Sequence, residues 1–122
     1  MIIMMGFYNR KPGMTVEEFR RFWSDVYGPL YNKHPEIKRH LRRYVQHQLD
    51  APADIPGQSL PFDGIAEAWF ESAEDIGRMI EEPIYKSSIA PLLEQFMDLG
   101  SSHFTAYDNP VYQVGDAPAL VR

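Results

Sequence analysis

The chain opens on an apolar run and then changes period. Ile2 to Tyr8 is rich in β-branched and aromatic residues, which predicts a strand. Ile2, Met4, Gly6 and Tyr8 alternate with Ile3, Met5 and Phe7, so both faces of that strand are apolar. Asn9 and the Pro12-Gly13 turn close it. Val16, Phe19, Trp23, Tyr27 and Leu30 then recur at three- and four-residue steps, one face of a helix. Thr15 and Glu18 have the spacing of a capping box at its start. Gly28-Pro29 is expected to fray or end it, because proline lacks the N–H and crowds the preceding turn.

Leu41 to Leu49 reads as a second strand, with Arg43, Val45, His47 and Leu49 on one face and Tyr44, Gln46 and Gln48 on the other. Asp50 to Phe62 holds three prolines and a glycine, a long loop of the kind used as a lid or an interface arm. Gly64 to Phe70 is a third strand. Ser72-Ala73-Glu74-Asp75 begins a second helix, whose apolar face (Ile76, Met79, Ile80) runs to Pro83. A further helix from about Ser88 to Leu99 turns Leu92, Leu93, Phe96 and Met97 inward, and His103 to Asp108 makes a fourth strand. The reading is one domain over residues 1–109, followed by a C-terminal tail over 110–122.

Two βαβ units side by side predict an α+β fold: a ferredoxin-like βαββαβ arrangement with a four-stranded antiparallel sheet and helices on one face. The other face would be bare and apolar, so a homodimer closed through its sheets is expected.

Charge and composition narrow the function. Lys plus Arg total 12 against 17 for Asp plus Glu, a net charge of −5, which gives no general attraction to nucleic acid or anionic lipid. Cysteine is absent, which removes disulfides, thiolate metal sites and Cys nucleophiles and fits a cytoplasmic location. No stretch approaches the roughly 18 apolar residues of a membrane span. There is no dinucleotide fingerprint, phosphate loop or nucleophile elbow, and the histidines at 34, 40, 47 and 103 lack helical metal-ligand spacing. No tightly bound cofactor is expected. The basic run Lys38-Arg39-His40 with Arg42-Arg43 reads mainly as a solvated face, with anion binding as the alternative.

Lys11-Pro12-Gly13-Met14-Thr15-Val16-Glu17-Glu18-Phe19, Trp23 with Tyr27-Gly28-Pro29, Arg43-Tyr44-Val45-Gln46-His47 and Phe62 through Phe70 resemble the EthD domain. The resemblance extends to about Asn109 and implies a dimeric α+β barrel. Members of that superfamily include muconolactone isomerases and cofactor-free monooxygenases, and fungal relatives include decarboxylases and dehydratases of polyketide anthrones. The family pattern after the tryptophan is usually His-Gly-Pro; here Tyr27 stands at that histidine. A phenol with an ordinary pKa near 10 donates a hydrogen bond where a histidine would shuttle a proton.

The resemblance also implies a cavity between sheet and helices, lined by Tyr8, Trp23, Tyr27, His47, Glu67, Trp69 and His103. On that reading His47 or Glu67 is the catalytic base and Tyr27 the donor, with Tyr8, Trp23, Trp69 and His103 binding substrate. The competing readings make His47 a hydrogen-bonded core or interface histidine and Glu67 a partner for Arg43 or another basic side chain across the sheet. His103, opening the last strand, reads more simply as a strand-end surface residue. The expected function is a small cofactor-independent enzyme, a lyase or isomerase, working by proton transfer on an apolar cyclic or aromatic carbonyl or carboxyl compound. A non-catalytic ligand-binding accessory protein and a cofactor-free monooxygenase are the alternatives.

Overall fold

Four strands form one antiparallel sheet in the order β2-β3-β1-β4. They are β1 (Ile2–Tyr8), β2 (Arg43–Gln48), β3 (Gly64–Phe70) and β4 (His103–Asp108). This computed structural model describes residues 1–49, 60–108 and 115, and of residues 104–108 only the backbone. The loop expected over Asp50 to Phe62 therefore lies outside the described residues except at its end, as does the tail except for Gly115.

The register fixes two chemically distinct faces. Gly6 pairs with Ala66 and Gln46 with Ala66, so one face carries Ile2, Met4, Gly6 and Tyr8 from β1, Tyr44, Gln46 and Gln48 from β2, and Gly64, Ala66, Ala68 and Phe70 from β3. On β3 those last four are the buried positions, and their alternates Ile65, Glu67 and Trp69 are half-buried. The opposite face carries Ile3, Met5, Phe7, Arg43, Val45 and His47 beside those alternates.

Helices cover the first face. Phe19, Trp23, Tyr27, Tyr31, Ile37, Ile76, Met79, Ile89 and Phe96 form one buried cluster with Ala66, Ala68 and Phe70. Glycine and alanine on β3 let large rings approach the backbone. A Cβ on Gly64 would lie 2.5 Å from the Trp23 indole, which is fully buried.

The first helical run departs from its expected form. α1 (Val16–Phe22) starts on the expected capping box, with Glu18 N–H donating to Thr15 Oγ1 and Thr15 N–H to Glu18 Oε1, each at 3.1 Å. Gly28-Pro29 does not end the run. The chain widens into a π-helical turn over Trp23–Tyr27, in which Gly28 N–H donates to Trp23 O at 2.8 Å, and continues as α2 (Pro29–Lys33). Proline is tolerated because it occupies the first turn of a new helix, where its N–H has no role. α3 (Pro35–Lys38), not expected from the pattern, follows.

α4 (Ala73–Glu81) lies where expected and buries Ile76 and Met79, but Ile80, expected on its apolar face, is exposed. The helix expected over Ser88 to Leu99 is instead a second π-helical turn (Tyr85–Ile89), a 3-10 turn (Ala90–Leu92) and a short α5 (Leu93–Phe96). Phe96 and Met97 are buried as expected, while Leu92 and Leu93 only flank the core. Among the described residues no helix is long and apolar enough to cross a membrane.

Candidate active site

Single π-helical turns inside helical runs are uncommon and recur at functional sites, because the extra residue re-aims side chains. Here the first carries Trp23 and Tyr27 and the second begins at Tyr85. Tyr8, Tyr27, Tyr31, Tyr44 and Tyr85, five of the chain's 7 tyrosines, lie close enough to act electrostatically on one another. The Tyr27 and Tyr31 hydroxyls share a hydrogen bond of 2.6 Å, buried between the helices and the sheet. Tyr31 stacks on Tyr44 with ring centroids 4.4 Å apart and 13° between planes. Tyr8 meets Trp23 edge-on at 5.9 Å.

Gln46 ties this group to the sheet. Its Nε2 donates to Trp23 O at 2.8 Å and to the Tyr44 hydroxyl at 3.1 Å. A carbonyl oxygen cannot donate, so the amide must present its NH2 to the π-helical turn. The Trp23 indole Nε1 approaches the same hydroxyl but is not aligned into a hydrogen bond with it, and it is a buried donor without a partner.

Burial sets the protonation of the cluster. Loss of hydration pushes the Tyr44 phenol up to about 12 and raises Tyr8, Tyr85, Tyr27 and Tyr31 as well, the last two strongly. Neighbouring tyrosines add to the rise for Tyr8, Tyr27 and Tyr31. All five are neutral hydroxyls at physiological pH, equipped to donate hydrogen bonds and not to act as resting bases. A pocket of about 150 Å³ lined by Gly28, Tyr31, Asn32, Leu41 and Tyr44 opens onto the stacked pair. An apolar cavity of about that size takes up benzene.

Of the site residues expected from sequence, Tyr8, Trp23 and Tyr27 meet here; His47, Glu67 and Trp69 do not. The sheet register puts those three on the opposite face, so no base on that face confronts Tyr27 inside a shared cavity. His47 is not buried by its strand neighbours either: its side chain is 46% exposed. Its Nε2 lies 2.5 Å from Glu67 Oε2, and Trp69 Nε1 donates to Glu67 Oε1 at 3.3 Å. Glu67 is thus paired with a basic side chain across the sheet, and that side chain is histidine. Arg43 lies over the Trp69 ring instead, 5.9 Å from its centroid. His103 is exposed and packs edge-on against Phe62.

Tyr31, Tyr44, Tyr85 and Gln46 were not expected. Tyr31 follows Tyr27 by four residues, one turn along the same helical stripe. Tyr44 and Gln46 share the strand face that alternates with Val45 and Leu49, and neither was singled out as a site residue. Among the described residues no three His, Asp or Glu side chains cluster closely enough to hold a metal ion.

The family model of the EthD domain matches residues 11–100, which includes both π-helical turns and every residue of this cluster except Tyr8. The chain belongs to the EthD domain family. Similar proteins include the decarboxylase claH of Passalora fulva, 30% identical over 105 residues that make up 79% of this chain and 68% of that protein. The decarboxylase AgnL1 of Paecilomyces divaricatus is 26% identical over 111 residues, 79% of this chain and 70% of the relative. A decarboxylase of Claviceps purpurea is 29% identical over 105 residues, 79% and 74% of the two chains.

Proposed function

We propose that this EthD-family protein is a small lyase that removes a carboxyl group as CO2 from an apolar aromatic or cyclic compound, using its own side chains. The observation that carries the reading is the set of neutral phenols gathered between two π-helical turns, in a family whose similar members are named decarboxylases. Loss of CO2 leaves an electron pair on carbon, and that carbon must then take a proton. Tyr27 is the donor. Tyr27 does not line the pocket itself, but its hydrogen-bonded neighbour Tyr31 does, so the proton reaches the pocket, and is replaced from water at its mouth, through the Tyr31 hydroxyl.

The pocket suits such a substrate because its lining holds no charged side chain, and a carboxylate entering it gives up hydration without gaining a counter-ion. Departure of the carboxylate as neutral CO2 relieves that cost. The sheet face bearing His47 and Glu67 serves a different purpose in this reading, closing on a second copy of the chain to make a homodimer.

Incubating the pure protein with a panel of hydroxylated aromatic carboxylic acids, with CO2 and product mass as the readout, tests the reaction. Enzymatic release of CO2 from at least one ring-hydroxylated acid is expected. Ligand recovered unchanged, or turnover that consumes oxygen, would replace the lyase reading with a carrier or a monooxygenase.

A further inference from the structure

A proton from Tyr27 reaches the pocket only while the Tyr27 hydroxyl stays on that of Tyr31, because Tyr31 lines the pocket and Tyr27 does not. The two rings hang on different supports. Tyr27 is the last residue of the first π-helical turn, whose closing bond runs from Gly28 N–H to Trp23 O. Tyr31 belongs to α2 and stacks on Tyr44 of the sheet. Gln46 is bonded to both supports. Its Nε2 carries two hydrogens, and it gives one to Trp23 O at 2.8 Å and one to the Tyr44 oxygen at 3.1 Å. A single π-helical turn is uncommon within a helix. This one takes its second hydrogen bond at Trp23 O from outside the helix, across the gap to β2.

We infer that Gln46 is a positioning residue for the proton donor: by holding Trp23 O and the Tyr44 hydroxyl from one amide nitrogen, it fixes how the Tyr27 hydroxyl meets that of Tyr31. This rests on the decarboxylation reading and adds to it the side chain that sets the rate of protonation. Gln46 acts through those groups and not on the ligand, since the pocket is lined by Gly28, Tyr31, Asn32, Leu41 and Tyr44. A donor displaced by a fraction of a bond length loses much of its effect, so the clamp acts on the rate more than on binding. The groups acting on the Tyr44 phenol are Gln46, Trp23 and Tyr85, none of them a charge. The titratable side chains of the cluster are the phenols of Tyr8, Tyr27, Tyr31, Tyr44 and Tyr85, all raised by burial. None of them changes charge between about pH 5 and about pH 8.

Gln46→Glu keeps the shape of the side chain and makes its donation titrate. A protonated carboxyl has one hydrogen to give Trp23 O; a carboxylate has none, and its charge repels the carbonyl. The ordinary glutamate pKa is about 4.3, and burial raises it. The kcat of Gln46→Glu relative to the parent, for CO2 release from a ring-hydroxylated acid, is expected to fall about tenfold or more between about pH 5 and about pH 8, with KM within about twofold. Gln46→Met, which donates at no pH, is expected to show the lower kcat throughout. Should Gln46→Glu unfold at the higher pH by far-UV circular dichroism, the test passes to Gln46→Met, whose kcat must fall at unchanged KM. Proton NMR of the full chain reads the geometry without turnover. The hydroxyl proton shared by Tyr27 and Tyr31 is expected to give a downfield line that Tyr27→Phe removes, and that Gln46→Glu shifts or loses as pH rises. A kcat ratio independent of pH, a loss confined to KM, or a line absent from the parent or unmoved in Gln46→Glu overturns the inference. Absence of CO2 release from the acid panel, with the line moving as expected, would instead count against the decarboxylase reading alone.

Discussion

At the residue scale Gly28 carries more information than its backbone suggests. Its φ of −56° is ordinary right-handed helix, where alanine is favoured over glycine by roughly 1 kcal/mol. The exchange would push Gln46 off the turn, since a Cβ would lie 2.6 Å from Gln46 Nε2 and 3.1 Å from Trp23 O. Gly28→Ala is therefore expected to destabilise the protein by about 1–3 kcal/mol, the usual cost of overpacking. Combining it with Gln46→Ala, which empties the space, should recover part of the loss in a double-mutant cycle read by denaturant unfolding. A stabilised single variant would mean that Gln46 does not clamp the turn. Tyr27 was visible in the sequence because it sits on the helical stripe. Tyr44 and Gln46 were hidden by the same logic, since apolar alternation marks the core face of a strand only where that face meets an apolar partner. A face that lines a hydroxyl-rich site is polar, and β2 has such a face.

Among the elements, local chemistry predicted starts better than interruptions. The Thr15–Glu18 capping box and the Ser72 start of α4 lie where the side chains put them. The π-helical turns were illegible because nothing in a 3.6-residue period announces one inserted residue. The end of α4 is held by Glu82, whose Oε1 accepts from Arg39 at 2.5 Å and contacts His40 Nε2 at 2.8 Å, joining it to the chain just after α3. The hydrogen bond from Arg39, and then that from His40, holds the Glu82 carboxyl below its ordinary value of 4.5. A depressed carboxyl stabilises the fold above its unfolded pKa and ceases to do so as pH falls through the folded one. Glu82→Gln should therefore lower the melting temperature at pH 7, with the gap from the parent narrowing as pH drops below 4.5. A gap independent of pH would assign Glu82 a packing role only.

Across the whole molecule, the four-stranded antiparallel sheet with helices on one face followed from sequence because two βαβ units admit few arrangements. The placement of His47 and Glu67 did not follow. They share a sheet face with Ile65 and Trp69 of β3, and a strand apolar on both faces gives no sign of which face the helices choose. On the sheet face away from the helices, Met5, Phe7, Val45 and Ile65 share the surface of the His47–Glu67 pair, and a second copy of the chain is the proposed partner of that face. Ile65→Asp is expected to convert a dimer into a folded monomer in sedimentation velocity, with far-UV circular dichroism unchanged; a parent protein that sediments as a monomer refutes the dimer. Decarboxylation as proposed requires chemistry on the tyrosine side of the sheet. The most direct measurement compares CO2 release by Tyr27→Phe and by the double variant His47→Gln/Glu67→Gln on whichever aromatic acid the parent turns over. Turnover should fall by about a hundredfold or more in Tyr27→Phe, in line with loss of a positioned proton donor, and survive in the double variant. The opposite pattern, with activity kept without the Tyr27 hydroxyl and abolished without the histidine and glutamate, would contradict it.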